Sequence, residues 1–133
     1  MKIVVDENVS FADLAFGQIG NVVLSEGRKI TNAIIKDADA LIIRSVTNVT
    51  NELLNNTNIK FIGTATIGTD HVNIEALNKR KIKFANAKGC NSNAVAEYVI
   101  TAILSISDKH KINISGKSIG IIGFGNVGKK VEI

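Results

Sequence analysis

The chain has 133 residues, of which 45% are hydrophobic and 21% charged, so it is long and apolar enough to bury the core of one average domain. Its net charge of +4 comes from scattered basic residues and one short cluster at residues 79–83, which indicates a solvated helix end and argues against a nucleic-acid partner. A single cysteine excludes an internal disulfide and suits a cytoplasmic protein, and no apolar run approaches the roughly 20 residues that cross a membrane.

Short β-type runs alternate with helical segments over the first hundred residues. The predicted strands cover residues 2–5, 22–24, 40–43, 60–63 and 82–85, and the predicted helices cover residues 11–16, 31–35, 52–54, 73–79 and 93–107. Ser10 is the expected N-cap of the first helix, and Asn91, Ser92 or Asn93 that of the longest. Strands that alternate with helices indicate βα units, and a fully apolar strand suits a parallel sheet that is covered on both faces. We therefore expect an α/β fold.

A polar stretch and a glycine motif follow the longest helix. Residues 108–117 read as a linker, residues 118–122 as a new strand, and Gly123, Gly125 and Gly128 then form G-x-G-x-x-G. In this motif the first glycine allows a tight turn, the second lets the backbone approach a pyrophosphate, and the third lets helix and strand pack closely. The predicted dinucleotide-binding residues are Gly123, Gly125, Asn126, Val127 and Gly128. A glycine-rich turn without a ligand is the alternative, because the confirming acidic residue about 20 positions further on would lie beyond Ile133.

Polar residues also follow two of the predicted strands, where ligands bind in open α/β sheets. Hydroxyl and guanidinium groups in these loops can donate to carboxylate or phosphate oxygens, and a glycine lets backbone N–H groups come close to an anion. The predicted substrate-binding residues are Arg44, Ser45, Thr66, Ile67 and Gly68. The alternative is that the threonines only satisfy the backbone of the turn. We expect His71 to structure the turn and not to act in catalysis. Cys90 is the single cysteine, and a lone cysteine cannot form a metal site.

Three segments, taken in order, resemble the D-isomer-specific 2-hydroxyacid dehydrogenases. They are R-S-V-T at residues 44–47, G-T-A-T-I-G-T-D-H at residues 63–71, and G-C-N at residues 89–91 followed by A-E-Y at residues 96–98. The resemblance implies a flavodoxin-like substrate domain over residues 1–107, a linker over residues 108–117, and the start of a Rossmann NAD-binding domain over residues 118–133. It also places Ser45 and Thr66 at substrate-contacting positions.

The resemblance further implies an NAD-dependent enzyme that takes a small phosphorylated hydroxy acid and works as a homodimer when complete. Within the family, the motifs favour oxidation of 4-phosphoerythronate in the route to pyridoxal phosphate. Another 2-hydroxyacid such as 3-phosphoglycerate is an alternative substrate, and a non-catalytic remnant or binding module is the alternative from another functional class. The family's catalytic Arg, Glu and His follow the glycine motif, so we expect them downstream of Ile133 and expect the 133-residue chain alone to be inactive.

Overall fold

The central element is a five-stranded, fully parallel sheet with the strand order β2-β1-β3-β4-β5. The computed structural model describes residues 1–132. The strands are β1 (Lys2–Asp6), β2 (Asn21–Ser25), β3 (Ala40–Ile43), β4 (Phe61–Thr64) and β5 (Lys83–Asn86). This order is that of flavodoxin-like folds, so the predicted α/β architecture is confirmed.

Five helices connect and follow the strands in the part of the chain that the structure describes. They are α1 (Ala12–Phe16), α2 (Asn32–Ile35), α3 (Ile74–Lys79), α4 (Ser92–Lys109) and α5 (Gly128–Val131), with a 3₁₀ turn at Gly27–Lys29. Within residues 1–132, none of the helices combines the length and the apolar character needed to cross a membrane.

The chain divides into two compact units, Met1–Lys88 and Gly89–Ile133. The first contains the whole sheet, and the second contains α4 and α5. The division into residues 1–107, 108–117 and 118–133 that the family resemblance implies stays a prediction.

The core of the first unit lies on both faces of the sheet. On one face, sheet residues such as Leu41 and Ile62 pack with Ile35 of α2 and Leu77 of α3, all at most 1% exposed. On the other face, Ile3, Val5, Ala40 and Ile42 form a smaller cluster with Ala12 of α1. Burial on both faces explains why the β3 sequence is apolar at every position.

Two local predictions in the first unit are wrong. Ser10 does not cap α1, because the helix begins after Phe11, whose φ of 60° lies in the left-handed region, and no side chain caps it. The expected helix over residues 52–54 is a series of turns, with the Leu54 N–H donating to the Thr50 carbonyl oxygen at 3.3 Å. A single turn of helix fixes many dihedral angles for one hydrogen bond, and Asn56 at φ 52° interrupts any continuation.

The second unit also departs from the prediction. The expected strand over residues 118–122 does not form within the described chain, and Ile119 and Ile122 are 59% and 104% exposed. A strand needs a neighbour to accept and donate its ladder hydrogen bonds, and the described residues of this unit supply none. Helix α4 does form, but it extends to Lys109, and Asn91 stands at its N-cap without a side-chain cap hydrogen bond.

Candidate functional site

The carboxyl ends of β1, β3 and β4 bring polar residues to one edge of the sheet. Asp6 ends β1, Arg44 follows β3, and Thr64 ends β4. The chain passes from β1 outwards to β2 and then back to β3 on the other side of β1. Such a change of direction opens a crevice at the carboxyl edge, which is where open α/β sheets bind ligands.

Asp6 and Arg44 form a buried ion pair in this crevice. The Asp6 side chain is fully buried, and its two carboxylate oxygens accept from Arg44 Nε at 3.1 Å and Nη2 at 3.4 Å. The Asn8 backbone N–H also donates to Asp6 Oδ1 at 2.9 Å. An unpaired carboxylate at this depth would cost several kcal/mol, so Arg44 compensates the charge of Asp6.

This pair changes what Arg44 can offer a ligand. From the sequence we expect the Arg44 guanidinium to donate to an anion, whereas its Nε and Nη2 already donate to Asp6. The Arg44 side chain is 34% exposed, and Nη1 has no acceptor within residues 1–132, so one edge of the guanidinium is left for a ligand. Asp6 was missed from the sequence, although an acidic residue at the carboxyl end of an apolar strand was a usable signal.

A glycine and a threonine complete the packing around the ion pair. A Cβ atom placed on Gly27 would overlap the Asp6 carboxylate and lie 2.8 Å from Val46 Cγ2. The buried Thr47 hydroxyl donates to the Gly27 carbonyl oxygen at 2.8 Å. These contacts hold the segments that follow β2 and β3 against the end of β1.

Strand register brings the two predicted hydroxyl donors to the same edge. Ile43 and Thr64 are paired in the ladder of β3 and β4, and Ser45 and Thr66 each follow two residues later. The Ala65 N–H donates to the Ile43 carbonyl oxygen at 2.8 Å, which extends the pairing into both loops. Ser45 is exposed and Thr66 is half-buried, so both side chains are accessible at the crevice.

The loop after β4 is held at several points but leaves donors free. The Ala87 N–H donates to the Thr66 carbonyl oxygen at 3.1 Å, and Asn86 Nδ2 donates to that of Ile67 at 2.8 Å. By contrast, the backbone N–H groups of Thr66, Ile67 and Gly68 have no acceptor among residues 1–132. These three donors are therefore available to an anion.

Neither the backbone conformation nor the packing of the chain requires glycine at position 68. A Cβ atom there would lie 3.8 Å from Asp70 Oδ2, an ordinary van der Waals contact, and its φ is not in the left-handed region. Space beside Gly68 is thus open, and the close approach of an anion there stays a prediction.

Hydroxyl groups and a histidine form a chain beneath this loop. Thr64 Oγ1 lies 2.7 Å from Thr66 Oγ1 and 3.1 Å from His71 Nε2. Burial lowers the pKa of His71 from its usual 6.5, and the neighbouring Asp70 carboxylate partly opposes this effect. The His71 carbonyl oxygen accepts from the Val49 N–H at 2.8 Å, as part of an isolated parallel bridge between Val49 and Val72. The turn-structuring role of the His71 side chain stays a prediction.

An apolar cavity of about 280 Å³ opens beside the polar loops. Phe16, Phe61 and Ala85 are among its lining residues, with Thr64 and Ala65 at its polar end. None of the five predicted substrate-binding residues lines it. The cavity therefore offers apolar contacts, and the predicted substrate-binding residues lie outside its lining.

The glycine motif adopts a turn in the second unit. Gly123 has a φ of 95°, and a Cβ atom on Gly128 would come within 2.5 Å of the Gly123 carbonyl oxygen. A Cβ atom on Gly125 would meet nothing within 4 Å, so the backbone there is open to a ligand. Asn126 is exposed, and Val127 is the N-cap residue of α5. The first and third glycines are thus required by geometry, and the second leaves room for a phosphate, which fits a dinucleotide.

Among residues 1–132, no three His, Cys, Asp or Glu side chains are grouped as metal ligands would be.

Comparison with known proteins places this geometry in a family. The catalytic-domain model of the D-isomer specific 2-hydroxyacid dehydrogenases matches residues 6–125. An erythronate-4-phosphate dehydrogenase of Acinetobacter baumannii (strain ACICU) is 49% identical over 98% of this chain and 37% of its own length. One from Marinomonas sp. (strain MWYL1) is 47% identical over 98% of this chain and 34% of its own length. The chain thus spans little more than a third of these relatives.

Solved structures agree with the sequence comparison. The NAD⁺-bound 3-phosphoglycerate dehydrogenase of Entamoeba histolytica is 32% identical and superposes with a TM-score of 0.68 over 99% of this chain and 49% of its own. The D-lactate dehydrogenase of Aquifex aeolicus, at 21% identity and a TM-score of 0.68, covers 98% of this chain and 46% of its own and shows the same fold. From its motifs, its sheet order and the family match over residues 6–125, this chain belongs to the D-isomer-specific 2-hydroxyacid dehydrogenase family.

Proposed function

We propose that this chain supplies the substrate-binding region and the first part of the NAD-binding region of an enzyme that oxidises 4-phosphoerythronate to its 2-oxo acid. The proposal is carried by the loop after β4, in which the backbone N–H groups of Thr66, Ile67 and Gly68 have no acceptor among residues 1–132. Ser45 follows Ile43 by two residues, as Thr66 follows its ladder partner Thr64. Sequence identity of 49% to an erythronate-4-phosphate dehydrogenase supports the choice of this substrate within the family. The reaction would contribute to pyridoxal phosphate synthesis in the cytoplasm, and the complete enzyme would be a homodimer.

The roles of the residues follow from their geometry. The N–H groups of Ile67 and Gly68 and the Thr66 hydroxyl donate to one anionic group of the substrate, and the Ser45 hydroxyl donates from the neighbouring loop. Arg44 supplies positive charge through its free edge, while Asp6 holds the guanidinium in place. An anion that is bound by several donors at once is oriented as well as retained.

The glycine turn is the part of this chain that would hold NAD. Gly123 and Gly128 shape the turn, and Gly125, Asn126 and Val127 offer backbone to the pyrophosphate. Bound NAD would accept a hydride from the carbon that carries the substrate hydroxyl. The acid/base and carbonyl-polarising residues would come from the part of the enzyme that this chain does not span, as would the adenosine site. This assignment keeps residues 1–107 as substrate domain, 108–117 as linker and 118–133 as the start of the NAD domain.

A second candidate substrate is 3-phosphoglycerate. It is favoured by the 32% identity to the Entamoeba histolytica 3-phosphoglycerate dehydrogenase. Both candidate substrates carry a carboxylate beside a hydroxyl and a phosphate at the far end. The two therefore use the same anion-binding loops and differ in the length of carbon chain between their charged groups.

The test is a hybrid enzyme in which this chain replaces the matching segment of the Acinetobacter baumannii relative. NAD reduction is followed with 4-phosphoerythronate and, separately, with 3-phosphoglycerate. We expect the first substrate to give the higher kcat/KM. Ser45→Ala and Thr66→Ala should each raise KM about three- to tenfold, since each removes a donor worth about 0.5–1.5 kcal/mol.

A matched control is Ser105→Ala, which removes an exposed hydroxyl of α4 in the second unit. It should leave both KM and the melting temperature unchanged. Unchanged KM with a lowered melting temperature in the Thr66 variant would mean that this threonine only satisfies its own turn. A higher kcat/KM for 3-phosphoglycerate would transfer the assignment to the second substrate.

A further inference from the structure

His71 is joined to the proposed anion site through a chain of two hydroxyl groups. Its Nε2 atom lies 3.1 Å from Thr64 Oγ1, which lies 2.7 Å from Thr66 Oγ1. Thr64 is only 3% exposed, so bulk water does not compete for its hydroxyl. The Thr66 hydroxyl can donate to the Gly68 carbonyl oxygen, but at 3.4 Å this hydrogen bond is weaker than the other two.

Each hydroxyl has a single proton, so the chain runs in one of two directions. If His71 Nε2 carries a proton, it donates to Thr64, Thr64 donates to Thr66, and the Thr66 O–H points outward. If Nε2 is bare, Thr64 donates to His71, Thr66 donates to Thr64, and only oxygen lone pairs of Thr66 face the loop. The first direction attracts an anion, and the second repels it.

We propose that His71 is a positioning residue that, by holding its proton on Nε2, turns the Thr66 hydroxyl into a donor for the anionic substrate. This inference rests on the proposed function of the loop after β4 as the substrate site. His71 itself touches no substrate atom in this scheme. Its effect passes entirely through the buried hydroxyl of Thr64.

The surroundings of His71 indicate that the direction of the hydroxyl chain is set by which ring nitrogen carries the proton, and not by a charge on the ring. Burial and the Asp70 carboxylate are the two influences that act on the ring. Burial keeps the pKa of His71 below 6.5, so the ring is mostly neutral at pH 7. A neutral ring carries its proton on either nitrogen, and anion binding at Thr66 must favour Nε2 by linkage.

The direct test is nuclear magnetic resonance on the 133-residue chain labelled with ¹⁵N in its histidine rings. Ring ¹⁵N chemical shifts distinguish a protonated from a bare nitrogen. Addition of 4-phosphoerythronate should move His71 towards the Nε2–H form and raise its pKa. His110, the other histidine, is exposed in the second unit and serves as the internal control, and its ring should not respond.

Substitutions separate this role from a merely structural one. His71→Phe removes the ring proton, and Thr64→Val removes the middle hydroxyl at nearly constant shape. Each should weaken 4-phosphoerythronate binding about three- to tenfold, as expected for one lost donor. His71→Gln keeps an amide donor at the end of the chain and should restore most of the affinity. Backbone amide spectra identify any variant that has lost its fold. In that case the folded variants and the ring ¹⁵N shifts of the parent chain decide whether His71 acts through Thr64.

The outcomes distinguish the two proposals. If Thr66→Ala weakens binding while His71→Phe and Thr64→Val do not, or if the His71 ring does not respond to bound ligand, the role of His71 is refuted and the substrate site stands. If 4-phosphoerythronate does not bind to the loop at all, the proposed site fails and the role of His71 fails with it.

Discussion

Gly27 gives the sharpest test of how the crevice is packed. In Gly27→Ala, the new methyl group would overlap the Asp6 carboxylate and lie 2.8 Å from Val46 Cγ2. Asp6 cannot swing aside, because it is fully buried and its oxygens bind Arg44 and the Asn8 N–H. The methyl group therefore has to be accommodated by displacing the ion pair or the backbone after β2.

The change in the free energy of unfolding of Gly27→Ala follows from two opposing contributions. Overpacking a filled site costs about 1–3 kcal/mol. Replacing glycine with alanine reduces the entropy of the unfolded chain and returns about 0.4–1 kcal/mol. The net loss is about 1–2 kcal/mol, and a domain the size of unit Met1–Lys88 loses about 4–8 °C in Tm per kcal/mol.

Thermal unfolding of the 133-residue chain, followed by far-ultraviolet circular dichroism, measures this loss. Gly68→Ala is the matched control, because it lies in the same unit and its methyl group would meet only Asp70 Oδ2, at 3.8 Å. We expect the control to keep or slightly raise Tm. In an Asp6→Ala background, Gly27→Ala should cost less, since the main overlapping group is gone. The packing argument would be refuted if Gly27→Ala and Gly68→Ala had equal Tm values. It would also be refuted if Gly27→Ala lowered Tm equally in the parent chain and in the Asp6→Ala chain.

Three further predictions concern activity, pH and local stability. The purified 133-residue chain should reduce NAD at less than a hundredth of a complete relative's rate, since acid/base groups alone contribute about 10²–10⁴-fold, and faster turnover would contradict the proposed division of roles. Because the folded chain holds the pKa of His71 below its unfolded value of 6.5, its contribution to stability is complete above pH 6.5 and is lost as pH falls through the folded pKa. Between pH 7 and 5, the free energy of unfolding measured with denaturant should thus fall less in His71→Gln than in the parent chain. Equal falls would refute His71 as the source of this pH dependence. Amide hydrogen exchange should be fast over residues 118–122, which lack ladder hydrogen bonds, and strong protection in a monomer would refute this.

Local sequence patterns determined the type and order of most elements. Five strands were predicted within one or two residues of their observed bounds, because a short apolar run between turn residues is a local signal. In the glycine turn, the φ of 95° at Gly123 agrees with the tight turn expected from the spacing, whereas the strand against which Gly128 was expected to pack is not formed among the described residues. The loops after β3 and β4 could also be proposed as site candidates from the sequence, since polar residues at strand ends are visible there, and their role in binding stays a prediction.

Contacts between distant residues were decided only by the tertiary structure. Asp6 and Arg44 are 38 positions apart, and their ion pair exists because β1 and β3 are neighbours in the sheet. The link from His71 to Thr66 depends likewise on how the loop after β4 folds back. The apolar run at residues 118–122 has the local pattern of a strand but pairs with no strand among residues 1–132. A strand is completed by hydrogen bonds to its neighbours, and periodicity in one segment carries no information about them.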